Sequence, residues 1–369
     1  MKYPNPTTLK TDNGWKVEVF YEGKSVSRLW IIDRQMRIGA GVVSVAGIAG
    51  VGTDHEHRNR GLAIRVLRRS LKLMRKQGYD TSVLFGTQDF YHRVGFATCF
   101  PEHDFSVDTR VAEGVRSALK TRPMKPSDLV AVRKIYEHQN QTATATVVRD
   151  RTWLRFPMGS GFDETGSTEV VYAPGAVGKV LGYVLYDETE ERCRAAEVGG
   201  SGAQVQGAII RFLGQRAVQL RRERVSASVA SDHPFSVYCR SLGCHDETRY
   251  PANGGPMGRI IDLPGFLAGI APELALRWPD GAPKQISLQC EDGGATLTKR
   301  RGVVTVKAGT SGRSLRVKDA ALMMQLAMGF RHADDAIGAG TLSGTRPQLA
   351  LARELFPLRV AYMSWPDRF

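Results

Sequence analysis

The chain has 369 residues, enough for two or three domains with a sizeable buried core. Hydrophobic residues make up 42% and charged residues 24%, which is ordinary for a globular protein and excludes a largely disordered chain. A formal net charge of +14 favours an anionic partner, such as nucleic acid, anionic lipid or a polyphosphate cofactor, but proves none of them.

The front of the chain is predicted to be a strand-rich α/β domain. Alternating or apolar runs predict strands at residues 15–21, 25–32 and 36–53. A helix follows and stops at Gly78; its apolar positions, at helical spacing, are Leu62, Val66, Leu67, Leu71 and Met74. Residues 81–85 are the next predicted strand, and the order strand, helix, strand implies a parallel pair.

The rest of the chain is predicted to hold two further domains. Residues 122–129 are typical of a linker, with Ser127 as the N-cap of the next helix. A strand, a long helix and a strand then repeat the order of the front domain without its basic loop, at residues 180–186, 205–222 and 225–229. Turn-rich segments at 251–258 and 262–266 mark a second boundary, before a hairpin at 285–306 and a helix at 318–328. The predicted domains are residues 1–120, 121–262 and 263–369.

The cysteines and the N-terminus indicate the cellular compartment. Five scattered cysteines, an odd number, fit a reducing cytosol better than a disulfide framework. Cys239 and Cys244 lie near His233 and His245, but no second ligand pair has zinc-finger spacing, so no metal is expected. The first ten residues lack an apolar signal core, and no run of about 18 apolar residues occurs. We therefore expect a soluble, cytoplasmic protein without a membrane span.

A basic loop with one glycine, RNRGLA at residues 58–63, joins the third predicted strand to its helix. Free amides at a helix start, the positive end of the helix dipole and a glycine that allows close backbone approach all favour a pyrophosphate. A helix start with a solvated basic face is the alternative interpretation of the loop alone.

Together with FYHRVGF at residues 90–96, this loop resembles the GNAT family of acetyl-CoA-dependent N-acetyltransferases. In that family the loop binds the coenzyme pyrophosphate, and the strand before it splays from its neighbour and bonds the pantetheine arm. The resemblance implies acetyl-CoA as co-substrate and three groups of cofactor-binding positions. These are Val51, Gly52 and Thr53 on the strand; Asn59, Arg60, Gly61, Leu62, Ala63 and Ile64 in the loop; and Gly86 and Thr87 at the thioester end.

The order of the domains narrows the resemblance to the Eis type, named for enhanced intracellular survival. It implies the fold class α/β (α+β): two GNAT-like mixed-sheet domains, the second degenerate, followed by a domain similar to sterol carrier proteins. The family forms hexamers, so a homohexamer is expected. The implied acceptor is an amine of an aminoglycoside-like polyamine or a lysine side chain, and no nucleic acid is required.

The same resemblance implies an acid and a base. Tyr91 matches the tyrosine that protonates the coenzyme thiolate, which a phenol of pKa near 10 can do; a tyrosine packed on the sheet is the alternative. The implied base is the terminal carboxylate of Phe369, folded back into the first domain, against the alternative of a frayed chain end. His92 is a rival base because imidazole titrates near neutral pH, although neighbouring helical positions point apart.

Some residues depart from the Eis pattern, and others do not determine which acceptor binds. Only residues 1–10 precede the first clear strand, so that either the translation start is misplaced or the acceptor site is more open. Arg368 would oppose a cationic acceptor. The candidate acidic residues for the acceptor site are more often solvated surface charges; they are Asp54, Glu56, Glu102 and Asp104.

Two functions without acetyl transfer are alternatives. A nucleic-acid-binding protein would explain the charge, although no aromatic residue interrupts the basic run at residues 58–75. A lipid carrier would use the apolar helix of the C-terminal domain, with Leu322, Met323, Leu326 and Met328, although such a stripe usually faces the core.

Overall fold

A computed structural model describes residues 2–149, 166–176, 178–189 and 192–369. The chain forms two compact units. The first unit contains Met1–Pro101, Tyr250–Ala361 and Phe369, and the second contains Glu102–Arg249 and Tyr362–Arg368. Within the described ranges, no helix combines the length and the apolar character needed to span a membrane.

The helices and strands follow in chain order. The first segment contains β1 (Thr7–Thr11), β2 (Gly14–Tyr21), β3 (Lys24–Ile38), β4 (Gly41–Thr53), α1 (Leu62–Gln77), β5 (Thr81–Gly86) and β6 (Ala97–Thr98), with short 3-10 helices at His55–His57 and Tyr91–Val94. The second contains β7 (Glu102–Asp108), α2 (Thr109–Gly114), β8 (Lys120–Pro123), α3 (Leu129–Asn140), β9 (Thr144–Val147), β10 (Gly166–Tyr172), β11 (Val180–Thr189), β12 (Arg192–Gly200), α4 (Ala203–Gln219), β13 (Arg224–Ala227), α5 (Pro234–Arg240) and β14 (His245–Arg249). The third contains β15 (Gly255–Ile260), α6 (Leu263–Gly269), α7 (Ala271–Arg277), β16 (Gln285–Cys290), β17 (Gly293–Arg300), β18 (Val303–Ala308), β19 (Ser314–Val317), α8 (Ala320–Ala327), α9 (Ala333–Gly338), β20 (Leu342–Ser343) and α10 (Arg346–Leu355).

The main sheet of the first unit has the order β1-β2-β3-β4-β5-β15-β6. Its strands are antiparallel except for β4 and β5, which are parallel because α1 connects them. The apolar face of α1 packs against this sheet through Leu62, Val66, Leu67, Leu73 and Met74, and its basic residues remain on the other face. A second sheet in the same unit has the order β18-β17-β16-β19-β20.

The sheet of the second unit repeats part of this pattern. Its order is β14-β7-β13-β12-β11-β10-β8, and β12 and β13 are a parallel pair connected by α4. Helix α4 is buried along most of its length, with Ile209, Ile210 and Leu213 fully inaccessible. Both units therefore contain a succession of strand, helix and parallel strand.

The predicted α/β (α+β) class is confirmed, and most of the predicted elements are present with shifted ends. The prediction of a strand beginning at residue 36 was wrong, because β3 continues to Ile38 and the turn lies at Gly39, where φ is +59°. Strand β1 was missed. The predicted hairpin at 285–306 is a three-stranded meander whose second turn lies at residues 301–302.

Two segments predicted from turn signals have a different local structure. Ser127 does not cap α3, because residues Pro126–Asp128 form a 3-10 turn in which the Asp128 carboxylate accepts the Lys125 amide proton at 2.8 Å. The turn-rich segment 251–258 runs into β15, which pairs with β5 over six residues. The second compact unit begins at Glu102. The division into three domains stays a prediction.

The cysteines and the apolar C-terminal helix are enclosed within their units. None of the five cysteines forms a disulfide; four are buried and Cys244 is partly accessible. Burial raises the pKa of the thiols of Cys99, Cys239 and Cys290. The stripe considered for a lipid carrier is buried in the core of the first unit; it consists of Leu322, Met323, Leu326 and Met328.

Candidate active site

A gap opens between β4 and β5 at their carboxyl ends. The two strands pair in parallel from Val45 and Thr81 to Ile48 and Leu84, where their pairing ends. Strand β4 continues to Thr53, paired on its other side with β3. At its end, β4 therefore has one edge that pairs with β3 and one edge that faces the gap. An extended ligand could pair with the second edge as an added strand.

A bulge changes the direction of β4 at the start of this gap. Trp30 of β3 faces Ala49 and Arg28 faces Gly52, so that Gly50 and Val51 oppose a single residue. Gly50 has φ of +55°, and a side chain there would strike the Trp30 ring at 2.8 Å. Glycine is thus required at the bulge, and the bulge places the predicted residues Val51, Gly52 and Thr53 beyond the pairing with β5.

The basic loop brings backbone amides to the start of α1. Gly61 precedes the helix with φ of +72°, and Asn59 is also left-handed at +59°. The Arg65 amide makes the i→i−4 bond to the Gly61 carbonyl at 3.1 Å, so the amides of Leu62, Ala63 and Ile64 precede the hydrogen-bond ladder. The first turn of α1 has no acidic residue.

Arginine side chains next to the loop donate hydrogen bonds to backbone carbonyls. The Arg58 Nε donates to the Thr53 carbonyl at 3.2 Å, and Arg65 donates to the Pro4 carbonyl at 2.7 Å. The side chains of residues 58–60 are exposed. Exposed cations, free amides and the positive end of a 16-residue helix dipole together suit a pyrophosphate.

Tyr91 packs against the end of β5 on the face covered by α1. A side chain at Gly86 would meet the Tyr91 ring at 2.4 Å and Leu84 at 2.6 Å, so the absence of a side chain makes room for the phenol. The tyrosine is 8% exposed, and burial raises its pKa above the ordinary value. The hydroxyl therefore stays protonated at neutral pH, as a proton donor requires.

The Phe369 side chain lies on the opposite face of the same strands. Three of its ring carbons lie 2.7 to 2.8 Å from the position that a Gly47 side chain would occupy. Its ring centroid is 6.0 Å from that of Phe85, in an edge-to-face arrangement. Because alternate residues of a strand point to opposite faces, Phe85 and Gly86 direct Phe369 and Tyr91 to the two sides of β5.

The remaining predicted residues differ in how exposed their side chains are to solvent. His92 is exposed whereas Tyr91 is buried, so the two adjacent side chains point apart as expected. Thr87 is exposed just beyond β5. Among the acidic candidates, Asp54, Glu56 and Asp104 are exposed and Glu102 is partly buried.

Arg368 belongs to the second unit. Its guanidinium lies 4.9 Å from the Trp365 ring centroid and 6.0 Å from that of Tyr362, and its Nε donates to the Met363 carbonyl at 3.4 Å. Burial lowers its pKa. The charge of Arg368 is therefore held among side chains of its own segment.

Sequence reasoning missed Gly47 and Gly50, which shape the gap. Both lie in AGIAGVGT, and glycine inside a strand is a recognised signal of a bulge or of close approach by another group. It also missed a buried cluster around Arg149, because its members are up to 218 residues apart. Within the described ranges, no group of three or more His, Cys, Asp or Glu side chains could hold a metal ion.

Comparison with known proteins finds a family match for the front of the chain. Residues 7–99 match the family model described as an acetyltransferase (GNAT) domain. No curated protein matches the chain.

Solved structures share the fold at low sequence identity. A GCN5-related N-acetyltransferase from Kribbella flavida is 19% identical, with a TM-score of 0.75, over 96% of this chain and 87% of that one. A GCN5-related N-acetyltransferase from Anabaena variabilis is 18% identical, with a TM-score of 0.78, over 96% and 89%. Eis1 from Mycobacterium abscessus is 17% identical, with a TM-score of 0.66, over 96% and 90%.

Residues 7–99 therefore form a GNAT acetyltransferase domain, and acetyl transfer is the activity that this domain supports. Acetyl-CoA is the co-substrate that this domain implies, and GNAT acetyltransferases act on amines.

Proposed function

We propose that the protein transfers acetyl from acetyl-CoA directly to a primary amine in the gap between β4 and β5. The observation that carries the proposal is the position of the two predicted catalytic groups. Tyr91 packs on Gly86, and Phe369 packs beside Phe85, at consecutive residues of β5 and on opposite faces. A thioester placed in the gap would be reached by one group from each side.

The cofactor would lie along the end of β4 and across the start of α1. The backbone of Val51 to Thr53 would pair with the pantetheine arm, and the amides of Asn59 to Ile64, with Arg60, would bind the pyrophosphate. Gly86 and Thr87 would line the thioester end. The edge of β4 beyond Ile48 and the left-handed Gly61 support this placement.

Acetyl transfer requires that one proton is removed from the amine and that one is delivered to the coenzyme thiolate. The amine nitrogen attacks the thioester carbonyl carbon, and the tetrahedral intermediate collapses with release of the coenzyme thiolate. The Phe369 carboxylate would take the proton of the amine, directly or through a water, and the Tyr91 hydroxyl would protonate the thiolate. Burial of Tyr91 supports the second role only in that it keeps the hydroxyl protonated and so holds a proton for the thiolate; its raised pKa makes the phenol a weaker acid than the thiol.

The acceptor proposed is an aminoglycoside-like polyamine or a lysine side chain, as in an Eis-type enzyme. The likeness to Eis1 over 96% of the chain supports this type. The sterol-carrier-like C-terminal domain, the hexamer and the cytoplasmic location belong to the same proposal and stay predictions.

The test measures coenzyme A release from acetyl-CoA against a panel of amines that includes aminoglycosides, spermidine and a lysine peptide. We expect Tyr91→Phe to lower kcat about a hundredfold, the range for loss of a general acid, and deletion of Phe369 to abolish turnover. His92→Gln is the matched control, because His92 is adjacent to Tyr91 but exposed, and should keep wild-type kcat. Full activity without Phe369, or loss of activity in the His92 variant, would reject the assignment of the base.

A further inference from the structure

The second unit has its own gap between parallel strands. β12 and β13 pair only at Arg194 with Ser226 and at Ala195 with Ala227, and β12 continues to Gly200. The strands therefore separate after Ala195, as β4 and β5 separate after Ile48. The loop before α4 offers no cation for a phosphate, because residues 201–206 are Ser, Gly, Ala, Gln, Val and Gln.

The C-terminal segment Tyr362–Arg368 contacts both strands of this second gap. The Tyr362 hydroxyl donates to the carbonyl of Ser228, the residue directly after β13. The Ser364 hydroxyl donates to the carboxylate of Glu197 on β12. The Tyr362 amide also donates to the Thr144 carbonyl at 3.0 Å. The segment thus lies where the first unit would bind its cofactor.

Arg149 anchors the segment through Asp367. Its Nε and Nη2 donate to the two carboxylate oxygens of Asp367 at 3.0 and 2.8 Å, and its Nη1 donates to Glu197 at 2.7 Å. The Tyr136 hydroxyl donates to Asp367 at 3.1 Å, and its ring lies 3.5 Å from the guanidinium carbon. Arg149 is 3% exposed and Asp367 is 3% exposed.

Because the ion pairs of this anchor are buried, removing any single partner is strongly destabilising. A buried ion pair is not by itself a large net gain, because both charges lose water. Removing one member leaves its partner buried without compensation, so the bonded arrangement is strongly favoured once the segment is in place. Here one arginine serves two carboxylates, and the Tyr136, Tyr183 and Ser364 hydroxyls provide further donors.

Anchoring Asp367 restricts where Phe369 can go. Two residues of extended chain span at most about 7 Å, so Phe369 must remain within that distance of the anchor. A chain free from Ala361 onwards would have eight residues and could reach about 28 Å. The radius available to the terminal carboxylate is thus about four times smaller with the anchor than without it.

We propose that the gap of the second unit is a clamp for the C-terminal segment, in which Arg149 and Asp367 are positioning residues for the Phe369 carboxylate. The clamp explains why this unit keeps the strand, helix, strand pattern without a phosphate-binding loop. The inference rests on the proposed function only for its effect on catalysis, since the clamp itself concerns binding of the segment.

The test compares Asp367→Asn with Asp128→Asn. Asp128 is a matched control because it is 4% exposed and accepts two bonds from Arg122 at 2.6 and 2.9 Å and one from the Lys125 amide at 2.8 Å, all within residues 122–128. A carboxypeptidase that prefers aromatic residues is added to each folded full-length protein, and released phenylalanine is measured over time. The kcat and the KM for acetyl-CoA are measured in parallel, and circular dichroism verifies the fold.

We expect Asp367→Asn to release phenylalanine at least tenfold faster than the wild type and to lose at least tenfold in kcat, with the KM for acetyl-CoA unchanged. Asp128→Asn should match the wild type in both. Equal release rates in all three proteins would overturn the clamp, and faster release with unchanged kcat would overturn the positioning role. Failure of the proposed function is detected separately, as full activity of the chain that lacks Phe369. If Asp367→Asn does not fold, Tyr136→Phe removes one bond to the same carboxylate and decides the release assay.

Discussion

Glycines in the main sheet of the first unit determine which aromatic side chains can lie against its strands. Gly47 leaves space for Phe369 on one face, and Gly86 leaves space for Tyr91 on the other. A methyl group at either position would overlap a ring carbon at 2.8 Å or less. The sequence contained both glycines, but Gly47 receives the ring of Phe369 at the chain end, 322 residues away, whereas Gly86 receives the ring of Tyr91, only five residues away.

Gly47→Ala tests the position of Phe369 without altering the terminal carboxylate. The added methyl must displace the phenyl ring, since Gly47 has an ordinary backbone conformation and the strand itself can remain. We expect kcat to fall about tenfold, an increase of about 1.4 kcal/mol in the barrier. Steady-state kinetics with saturating acetyl-CoA measures it.

Gly338→Ala is the control for this substitution. A methyl at Gly338, at the end of α9, meets no heavy atom within 4 Å. Its kcat should equal that of the wild type. An unchanged kcat in Gly47→Ala as well would show that the ring position is unimportant for turnover.

At the scale of elements, α1 is the part of the site that local sequence predicted best. Its apolar spacing, its basic face and its glycine stop at Gly78 are all determined within 20 residues, so pattern alone identifies them. The one error in its buried face is Leu71, which is only partly buried while Leu73 is enclosed. By contrast, Ser127 was a wrong cap because a 3-10 turn precedes α3, and turn geometry is not encoded by a single residue type.

The two ends of α1 provide a matched pair of substitutions. Gly61 and Gly78 are both left-handed, with φ of +72° and +76°, and neither would place a methyl within 4 Å of another residue. Gly61→Ala and Gly78→Ala should each lower the free energy of unfolding by about 1 kcal/mol, the cost of a left-handed side chain. Only Gly61→Ala should also raise the KM for acetyl-CoA, by about fivefold, because the loop amides would be displaced.

Urea unfolding and steady-state kinetics on both variants distinguish the two effects. Gly78→Ala corrects for general destabilisation of the helix. Equal KM values in the two variants would mean that the loop conformation does not contribute to cofactor binding.

At the scale of the whole molecule, the sequence predicted the fold class but not the composition of the two units. β5 at residues 81–86 pairs with β15 at residues 255–260, and the last residues of the chain divide between the units. Pairings across such separations leave no periodic signal, because each strand looks the same whichever neighbour it receives. The turn-rich segment 251–258 accordingly leads into β15, where the chain returns to the sheet of β5, and local sequence carries no sign of that return.

The net charge of +14 should accelerate the binding of acetyl-CoA, which is a polyanion. Arg68, Arg69 and Lys72 are exposed along α1, behind the basic loop. Raising KCl from about 20 mM to about 500 mM shortens the screening length to below 5 Å and should lower kcat/KM for acetyl-CoA severalfold with little change in kcat.

A salt titration of the steady-state parameters measures this effect, and sucrose at matched osmolality controls for changes in water activity. A kcat/KM that is independent of salt would show that the charge serves something other than cofactor encounter.

The enclosed cysteines have a practical consequence for following the reaction. A disulfide dye reacts with thiolates, and burial keeps the Cys99, Cys239 and Cys290 thiols protonated and out of contact with solvent. Only Cys244 is partly accessible, and burial raises its pKa as well. Free coenzyme A should therefore be the fast-reacting thiol in the cuvette, so that a continuous colorimetric record of turnover needs no prior alkylation of the protein.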